Sequence, residues 1–479
     1  MIRKRIVSLK IKYNTVPASV KSAVAFTISS LVLRGITFLV TPIFTRLMST
    51  TQYGIVSTYN SWQTILEVFA LLGLTSAGVF NVGLNDYRNE RDQYISSLIL
   101  LTNMSTLITF VIVCVIKLIL GSSTILPYGL LILMFVQFFF SPAQTFWVTR
   151  QRYEYKYKLA TTITIMSAVV TQIFAVFCVL NVNADEAAIA KLWGTGLASL
   201  CFFIPFYVYL LFKGKGGVNK KIWRQTLFFA LPLLPHYLAQ HVMSGADRIM
   251  IAKLASQADA GVYSVVSAIS LIATVIWSAI NASLTPYVFE KMNNKRYKDI
   301  DNVVFKLICL YGVMCLGVAL IAPEVLAILA PSEYKYGIYA VPPIAAVAFL
   351  NALYNVYSMA EFYHKYSKNI AFATIISCVF NIILNLLFIP RFGFVAAAYT
   401  TLASNIILVM LHYKGYRKCQ KERIFKDYKY LIVAIVFIVL CELCILLYKN
   451  FFLRIIVILV TLILVFVKRK IFFLKFKSE

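Results

Sequence analysis

The sequence predicts an all-α polytopic membrane protein with about 14 transmembrane helices, arranged as two parallel six-helix lobes plus two extra C-terminal helices. Three observations carry this prediction: the composition, the recurrence of apolar spans and an internal repeat. Of the 479 residues, 60% are hydrophobic and 14% are charged, with a mean hydropathy of +0.79. A soluble chain of that composition would expose too much apolar surface to water.

Apolar spans recur along the chain, each near the roughly 20 residues that a bilayer crossing needs. We expect helices over residues 22–48, 56–80, 95–120, 124–148, 159–182, 187–212, 225–252, 259–290, 303–330, 335–361, 370–390, 394–413, 428–448 and 451–467. The predicted domains are a cytoplasmic N-terminal segment (1–21), an N-lobe (22–212), a flexible cytoplasmic interlobe loop (213–224), a C-lobe (225–413) and a C-terminal part (414–479). That last part holds a basic connector, two helices and a cytoplasmic tail.

The distribution of the basic residues predicts the orientation. The formal net charge is +27, and 35 of the 46 Lys and Arg residues fall in alternate loops, beginning with the N-terminus. The positive-inside rule therefore places both termini in the cytoplasm and accounts for the charge without nucleic acid as a partner. The outward loops are short, so no outer domain could hold a soluble catalytic site. We expect a protein that is not an enzyme.

Two stretches of the chain repeat each other. Thr45–Ser57 and Ala252–Ser264 align without a gap, so that Gly54 falls on Gly261 and Ser57 on Ser264. Six spans separate the copies, so both run in the same direction, as in lobes related by an axis along the membrane normal. The first copy also predicts a proline-bent helix exit followed by a turn of small and polar residues around Gly54.

The helix exit TPIFTRLMSTTQYGIVSTY and the phrase GADRIMIAKLASQADAGVYSVVSAIS resemble the bacterial polysaccharide (O-antigen-type) flippase family of the multidrug/oligosaccharidyl-lipid/polysaccharide exporter superfamily. This resemblance implies a flippase in the bacterial cytoplasmic (inner) membrane. Its substrate would be an oligosaccharide on undecaprenyl diphosphate, and its partners membrane lipid, a polysaccharide polymerase and chain-length proteins. The alternatives are a lipid II-type flippase or a cation-coupled drug antiporter of the same superfamily, and, from another class, a membrane polysaccharide polymerase.

Four basic side chains are candidates for binding an anionic substrate: Arg34, Arg46, Arg248 and Lys253. Arg34 lies about 18 Å into its span at 1.5 Å per residue, where an arginine is costly unless it faces the bundle or a wet cavity. A guanidinium suits a diphosphate, which is the favoured interpretation, and a salt bridge with Glu67 is the alternative; the two can hold in different states. Arg46 and Lys253 lie near span ends, where snorkelling to the interface is the default interpretation and a rim for an anionic head group is the second.

Three titratable residues are candidates for coupling to H⁺ or Na⁺: Glu67, Asp247 and His241. For His241, a satisfied interior histidine is the favoured interpretation and proton exchange is the alternative. Asp247 and Arg248 are adjacent on one helix, so they point in different directions, and which of them faces the cavity stays open. We expect no other cofactor and no metal site. The lone pair Cys441 and Cys444 supplies too few ligands for structural zinc.

Overall fold

A computed structural model describes residues 17–75, 77–121 and 126–467, which are almost entirely helical and include no strand. Helices suit the interior of a bilayer because they satisfy their backbone hydrogen bonds internally. The fold class is therefore confirmed. Most of the predicted N-terminal segment (1–16) and the cytoplasmic tail (468–479) lie outside the described residues.

The helices are numbered in chain order. They are α1 (Ala18–Leu47), α2 (Thr50–Leu71), α3 (Ala77–Asp86), α4 (Arg91–Leu120), α5 (Tyr128–Tyr153), α6 (Tyr157–Leu180), α7 (Ala187–Lys213), α8 (Lys220–Ala230), α9 (Leu234–Leu254), α10 (Gln257–Asn293), α11 (Tyr297–Leu320), α12 (Ala322–Leu329), α13 (Val341–Tyr363), α14 (Ser367–Phe392), α15 (Phe394–Cys419), α16 (Asp427–Leu447) and α17 (Phe451–Val467). Short 3₁₀ segments cover Ala184–Glu186, Leu231–Leu233 and Ser332–Ala340.

Eleven helices in the described part of the chain are long and apolar enough to cross a membrane, namely α1, α4, α5, α6, α7, α10, α11, α13, α14, α15 and α16. The protein is thus a multi-pass membrane protein, but the predicted number of 14 spans is not confirmed. Among the described residues, the predicted spans 56–80 and 225–252 do not qualify, and of 451–467 the described part, Phe451–Thr461, is an apolar helix too short to count.

The first of these spans was wrongly bounded. Gly54 lies inside α2 rather than in a turn, because the chain turns earlier, between Leu47 and Thr50. The far end of α2 comes at Leu71, since Leu72 and Gly73 adopt positive φ values of 53° and 64° that end a helix.

The second span is divided. Residues 220–254 form α8, a 3₁₀ turn over Leu231–Leu233 and then α9. Pro232 and Pro235 lack the N–H groups that a continuous α-helix would use, which explains the break at this point.

The contacts among Cα atoms divide the chain into two units. The first unit comprises the described residues up to Val40 together with Ile65–Leu234, and the second comprises Thr41–Thr64 together with the described residues from Pro235 onward. The division of α1 and α2 between units was not part of the predicted lobe boundaries. The lobes at 22–212 and 225–413 remain a prediction.

The first unit is built on α4, α5, α7 and the shorter α3. Its core includes Phe80 and Phe146, whose rings stack with centroids 4.9 Å apart, and the buried ring of Tyr94. At one end, Glu154 accepts hydrogen bonds from Arg150 at 2.9 Å and Lys156 at 2.7 Å. Burial works to raise the pKa of Glu154, but these two cations outweigh it and lower the pKa to about 2.

The second unit is built around α13, which packs on α10, α11, α15 and α16, while α14 packs on α15. The last helix, α17, is joined to α12 by a forked ion pair. Arg454 donates to the two carboxylate oxygens of Glu324 at 3.0 and 2.7 Å. This geometry holds the C-terminal helices against the rest of the unit.

Within the second unit, α2 and α10 cross at two glycines that the predicted repeat aligns. A Cβ atom on Gly54 would overlap the carbonyl oxygen of Gln257, and one on Gly261 would overlap that of Thr50. One turn further along, the hydroxyls of Ser57 and Ser264 are hydrogen-bonded to each other. The absence of side chains at both glycines therefore sets how closely the two backbones approach.

Replacing Gly54 by alanine should destabilise the protein, because the added methyl group meets backbone rather than a movable side chain. We expect a loss of about 1–3 kcal/mol, the usual range for overpacking, seen as a lower thermal midpoint in detergent. Gly317→Ala is the matched control: it lies in α11 with no atom within 4 Å of the new Cβ. The control should be neutral or slightly stabilising. Equal midpoints for the two variants would contradict the close crossing.

Candidate functional site

A cavity of about 550 Å³ lies among α9, α10, α13, α14 and α15 of the second unit. Its walls combine apolar side chains with serine, threonine, asparagine and histidine side chains, and they include Asp247 and Arg248. Polar groups at this density are unusual within apolar membrane helices, where each must find a partner. The cavity is therefore the candidate site of the second unit.

Asp247 is buried at the cavity wall and is held by three neutral donors. Tyr263 and Thr401 donate their hydroxyls to Oδ2 at 3.1 and 2.8 Å, and Asn385 donates its amide to Oδ1 at 2.7 Å. Asp247 forms no ion pair with any described residue. The carboxylate thus sits among neutral dipoles, with no compensating cation in contact.

A second layer of hydrogen bonds orients these donors. The Asn385 amide also donates to Asn381 Oδ1 at 3.2 Å, and Asn381 donates to the Thr401 hydroxyl at 3.2 Å. The Thr400 hydroxyl donates to Asn385 Oδ1. Carboxylate, amide and hydroxyl oxygens are the ligands that small hard cations prefer, so α9, α14 and α15 place a set of such oxygens together.

Arg248 also lines the cavity, so both members of the adjacent pair contribute to its wall. The guanidinium donates to the Ser264 hydroxyl at 3.0 Å and to the Ser244 carbonyl at 2.8 Å. Both partners are neutral. Ser264 is also the residue that contacts Ser57, so Arg248 is tied to the crossing of α2 and α10.

A second buried carboxylate, Glu361, lies on α13. It pairs with the His412 ring and accepts a hydrogen bond from the Asn369 amide. The His412 ring also lines the cavity and stacks on Tyr354, with centroids 5.3 Å apart. Gly415 makes room for this arrangement, because a Cβ there would overlap Glu361 and Asn369.

The predicted candidates in the first unit, Arg34 and Glu67, are not brought together. Arg34 lies near the middle of α1 with an exposed side chain, and neither residue forms an ion pair among the described residues. The structure therefore does not form the alternative salt bridge between them, and the roles expected of Arg34 and Glu67 stay predictions.

Three further candidates lie outside the cavity wall. Arg46 donates to the carbonyl oxygens of Pro42 at 2.9 Å and Ile328 at 3.1 Å. Lys253 is exposed and lies over the Trp62 ring at 6.0 Å. His241 is partly buried on α9. In the part of the chain that the structure describes, no group of three or more His, Cys, Asp or Glu could hold a metal ion.

Sequence reasoning missed the partners of Asp247 and the pairing of His412 with Glu361. A signal was present in α14, where Asn381 and Asn385 stand four residues apart in an otherwise apolar span and so share one helix face. Two amides on one face of a membrane helix indicate a polar partner. Nothing in the sequence says that this partner is Asp247, which is 138 residues from Asn385.

The sequence profile of the polysaccharide biosynthesis protein family matches residues 19–292, more than half of the chain. The chain belongs to this family. The MatE family profile matches residues 232–387, which contain much of the cavity wall. The resemblance inferred from the two sequence phrases is thereby confirmed.

Individual relatives agree with the family assignment. A Haemophilus influenzae protein named for the Lsg locus is 24% identical over 287 residues, 58% of this chain and 67% of that protein. The Haloferax volcanii "Probable low-salt glycan biosynthesis flippase Agl15" is 24% identical over 173 residues, 35% of this chain and 37% of that protein. Among solved structures, "Lipid II flippase MurJ, inward closed conformation" matches with a TM-score of 0.69 at 15% identity, covering 93% of this chain and 99% of that chain. The last likeness shows a shared fold.

The hydrogen bonds to Asp247 can be tested one donor at a time. Thr401→Val keeps the side-chain volume but removes a donor to the carboxylate, which should destabilise the protein by about 1–3 kcal/mol. Thr374→Val is the matched control, since the Thr374 hydroxyl also lies at the cavity but donates only to Ile370 in its own helix. Thermal unfolding in detergent measures both variants.

If the loss of stability comes from the hydrogen bond to the carboxylate, Thr401→Val should destabilise the protein less in the presence of Asp247→Asn, because the two changes share one interaction. Additive penalties would instead mean that Thr401 acts through packing or through the hydrogen bond that it accepts from Asn381.

Proposed function

We propose that this protein is a flippase that moves an oligosaccharide repeat unit, linked to undecaprenyl diphosphate, across the bacterial cytoplasmic membrane for surface polysaccharide biosynthesis. Membership of the polysaccharide biosynthesis protein family supports this proposal, as does the fold shared with a lipid II flippase. The observation that carries it is the presence of Arg34 and Arg248 within apolar helices without an ion pair among the described residues.

The charge of these two arginines favours an anionic substrate. A cation in a membrane helix is retained only at an energetic cost, so it is expected to have a partner. Arg248 donates to neutral groups at the cavity wall, and Arg34 is exposed near the middle of α1. A diphosphate offers the oxygens that a guanidinium binds in a forked geometry. A cationic drug would instead favour acidic walls.

In this proposal transport proceeds by alternating access, driven by a cation gradient. Asp247, with neutral oxygen-bearing partners on α14 and α15, is the residue proposed to bind H⁺ or Na⁺. Both termini face the cytoplasm, as the basic loops predict. The product, a lipid-linked repeat unit on the outer leaflet, would then serve a polysaccharide polymerase and chain-length proteins.

The function is tested by deleting the gene in its own host. Lipid-linked oligosaccharide should still be made but should stay accessible only from the cytoplasmic side, while surface glycan is lost. Surface glycan that persists at normal levels, or a repeat unit that is no longer synthesised, would contradict the proposal.

Arg34 should be needed for export but not for folding. Arg34→Ala should lower surface glycan per unit of membrane-inserted protein by about 10- to 100-fold, the range for losing a charged hydrogen bond. Arg34→Lys should fall between, because it keeps the charge but loses the fork. Arg391→Ala, which removes an exposed arginine at the end of α14, is the control and should export normally. The double variant R34A/E67A should export no more glycan than Arg34→Ala alone. Wild-type export from that double variant would remove Arg34 from the site.

Asp247→Asn should uncouple transport from its driving ion. In inverted membrane vesicles, wild-type transport should depend on an imposed Na⁺ or proton gradient, and the variant should lose that dependence because an amide cannot exchange charge. Glu333→Gln makes the same chemical change at an exposed carboxylate and should leave the dependence intact. A variant that still responds to the gradient would exclude Asp247 as the coupling residue.

A further inference from the structure

The short helix α8 is amphipathic and is fixed to the first unit by one face. Ile222, Thr226 and Ala230 recur every four residues and are buried. Trp223 donates its indole N–H to the Ser97 carbonyl at 2.8 Å, and the Asn219 side chain caps the helix by accepting from the backbone of Lys221 and Ile222. The helix is therefore a positioned element, not part of a flexible link as the sequence suggested.

The opposite face of α8 is open and carries cations beside an aromatic ring. Lys220, Lys221, Arg224 and Phe228 are exposed, and with Gln225 they line a concavity of about 590 Å³. Phe228 is 85% exposed. None of the three cations forms an ion pair with a described residue. The concavity thus has a net positive charge that no carboxylate of a described residue neutralises by an ion pair.

The exposed surface of α8 differs from that of the membrane-crossing helices because it combines cations with aromatic rings. The exposed residues in the last turns of α6, such as Ile173, Phe177 and Leu180, are apolar, as expected for contact with acyl chains. On α8 the cations occupy the first turns, and Phe228 and Phe229 follow in the next turn. That order is typical of a helix lying where phospholipid headgroups meet acyl chains.

We propose that α8 binds an anionic phospholipid of the surrounding bilayer, with its phosphate on Lys220, Lys221 and Arg224 and its acyl chain along Phe228. A free phosphate would not account for the exposed ring, and a soluble acidic partner would not benefit from it. The phosphate and the chain of one lipid match both parts of the surface. The residues of this binding site are not those that line the cavity of the second unit, and the proposal does not depend on the flippase proposal.

The test uses the full-length protein in a neutral detergent, titrated with phosphatidylglycerol and, separately, with phosphatidylcholine, and followed by native mass spectrometry. Phosphatidylglycerol should bind more tightly. The triple variant K220A/K221A/R224A should weaken its binding by about 100-fold, since each cation near an anionic headgroup contributes severalfold. Phe228→Ser should weaken the binding of both lipids equally, because both lipids have the acyl chain that would lie along the ring.

The matched control is K295A/R296A/K298A, which removes two exposed cations from the segment between α10 and α11 and a third from the first turn of α11. It should change phosphatidylglycerol binding by less than about twofold, and unchanged thermal midpoints show that all variants are folded. Equal loss in the control, or equal affinity for the two lipids, would overturn the proposal and leave α8 as a charged surface helix. Two competing ligands test whether α8 binds other anions instead. The proposal would also be overturned if inorganic diphosphate displaced the lipid equally well, or if a polyprenyl diphosphate bound α8 more tightly than the lipid.

Discussion

The hydrocarbon interior of a bilayer offers no hydrogen-bond partner, and the rest of this structure depends on that constraint. The backbone meets it by forming helices, and where Pro232 and Pro235 interrupt the α-helix, a short 3₁₀ turn carries the chain on to α9. Polar side chains satisfy this need for hydrogen-bond partners in different ways. A buried polar side chain is stabilised by a partner within the protein, and at the cavity Asp247, Asn381, Asn385 and Thr401 supply one another with such partners.

Two buried carboxylates of the second unit, Asp247 in the cavity wall and Glu361 behind the His412 ring, are satisfied in different ways. Glu361 is paired with a histidine and an amide, so a potential cation is in contact with it. Asp247 has hydroxyl and amide donors alone. An acid surrounded by neutral dipoles can release its proton when another cation takes its place, whereas an acid with a resident partner is already compensated. This difference makes Asp247 the better candidate for exchanging an ion.

Close packing is a second constraint: two helices approach closely only where the side chains between them are small, and glycine has no side chain. Aligned residues of the predicted repeat contact each other: Gly54 faces the backbone near Gly261, and Ser57 is bonded to Ser264. Each glycine lies against the chain of the other copy. The same small residues that make the repeat visible therefore also allow α2 and α10 to approach closely.

The sequence by itself determined the fold class, because composition and the length of apolar spans have few structural solutions in a membrane. It also singled out Asp247 and Arg248 as candidates, since charges within such spans are rare, and both line the cavity, although their roles stay predictions. It misplaced the turn at Gly54, because a glycine that allows a close helix crossing looks the same in sequence as one that allows a turn. Only the tertiary structure decided that Asn385 and Thr401 complete the surroundings of Asp247, and that Glu67 does not neutralise Arg34. Those outcomes depend on which helices pack together, and helical periodicity specifies the face of a residue but not the neighbour that the face will meet.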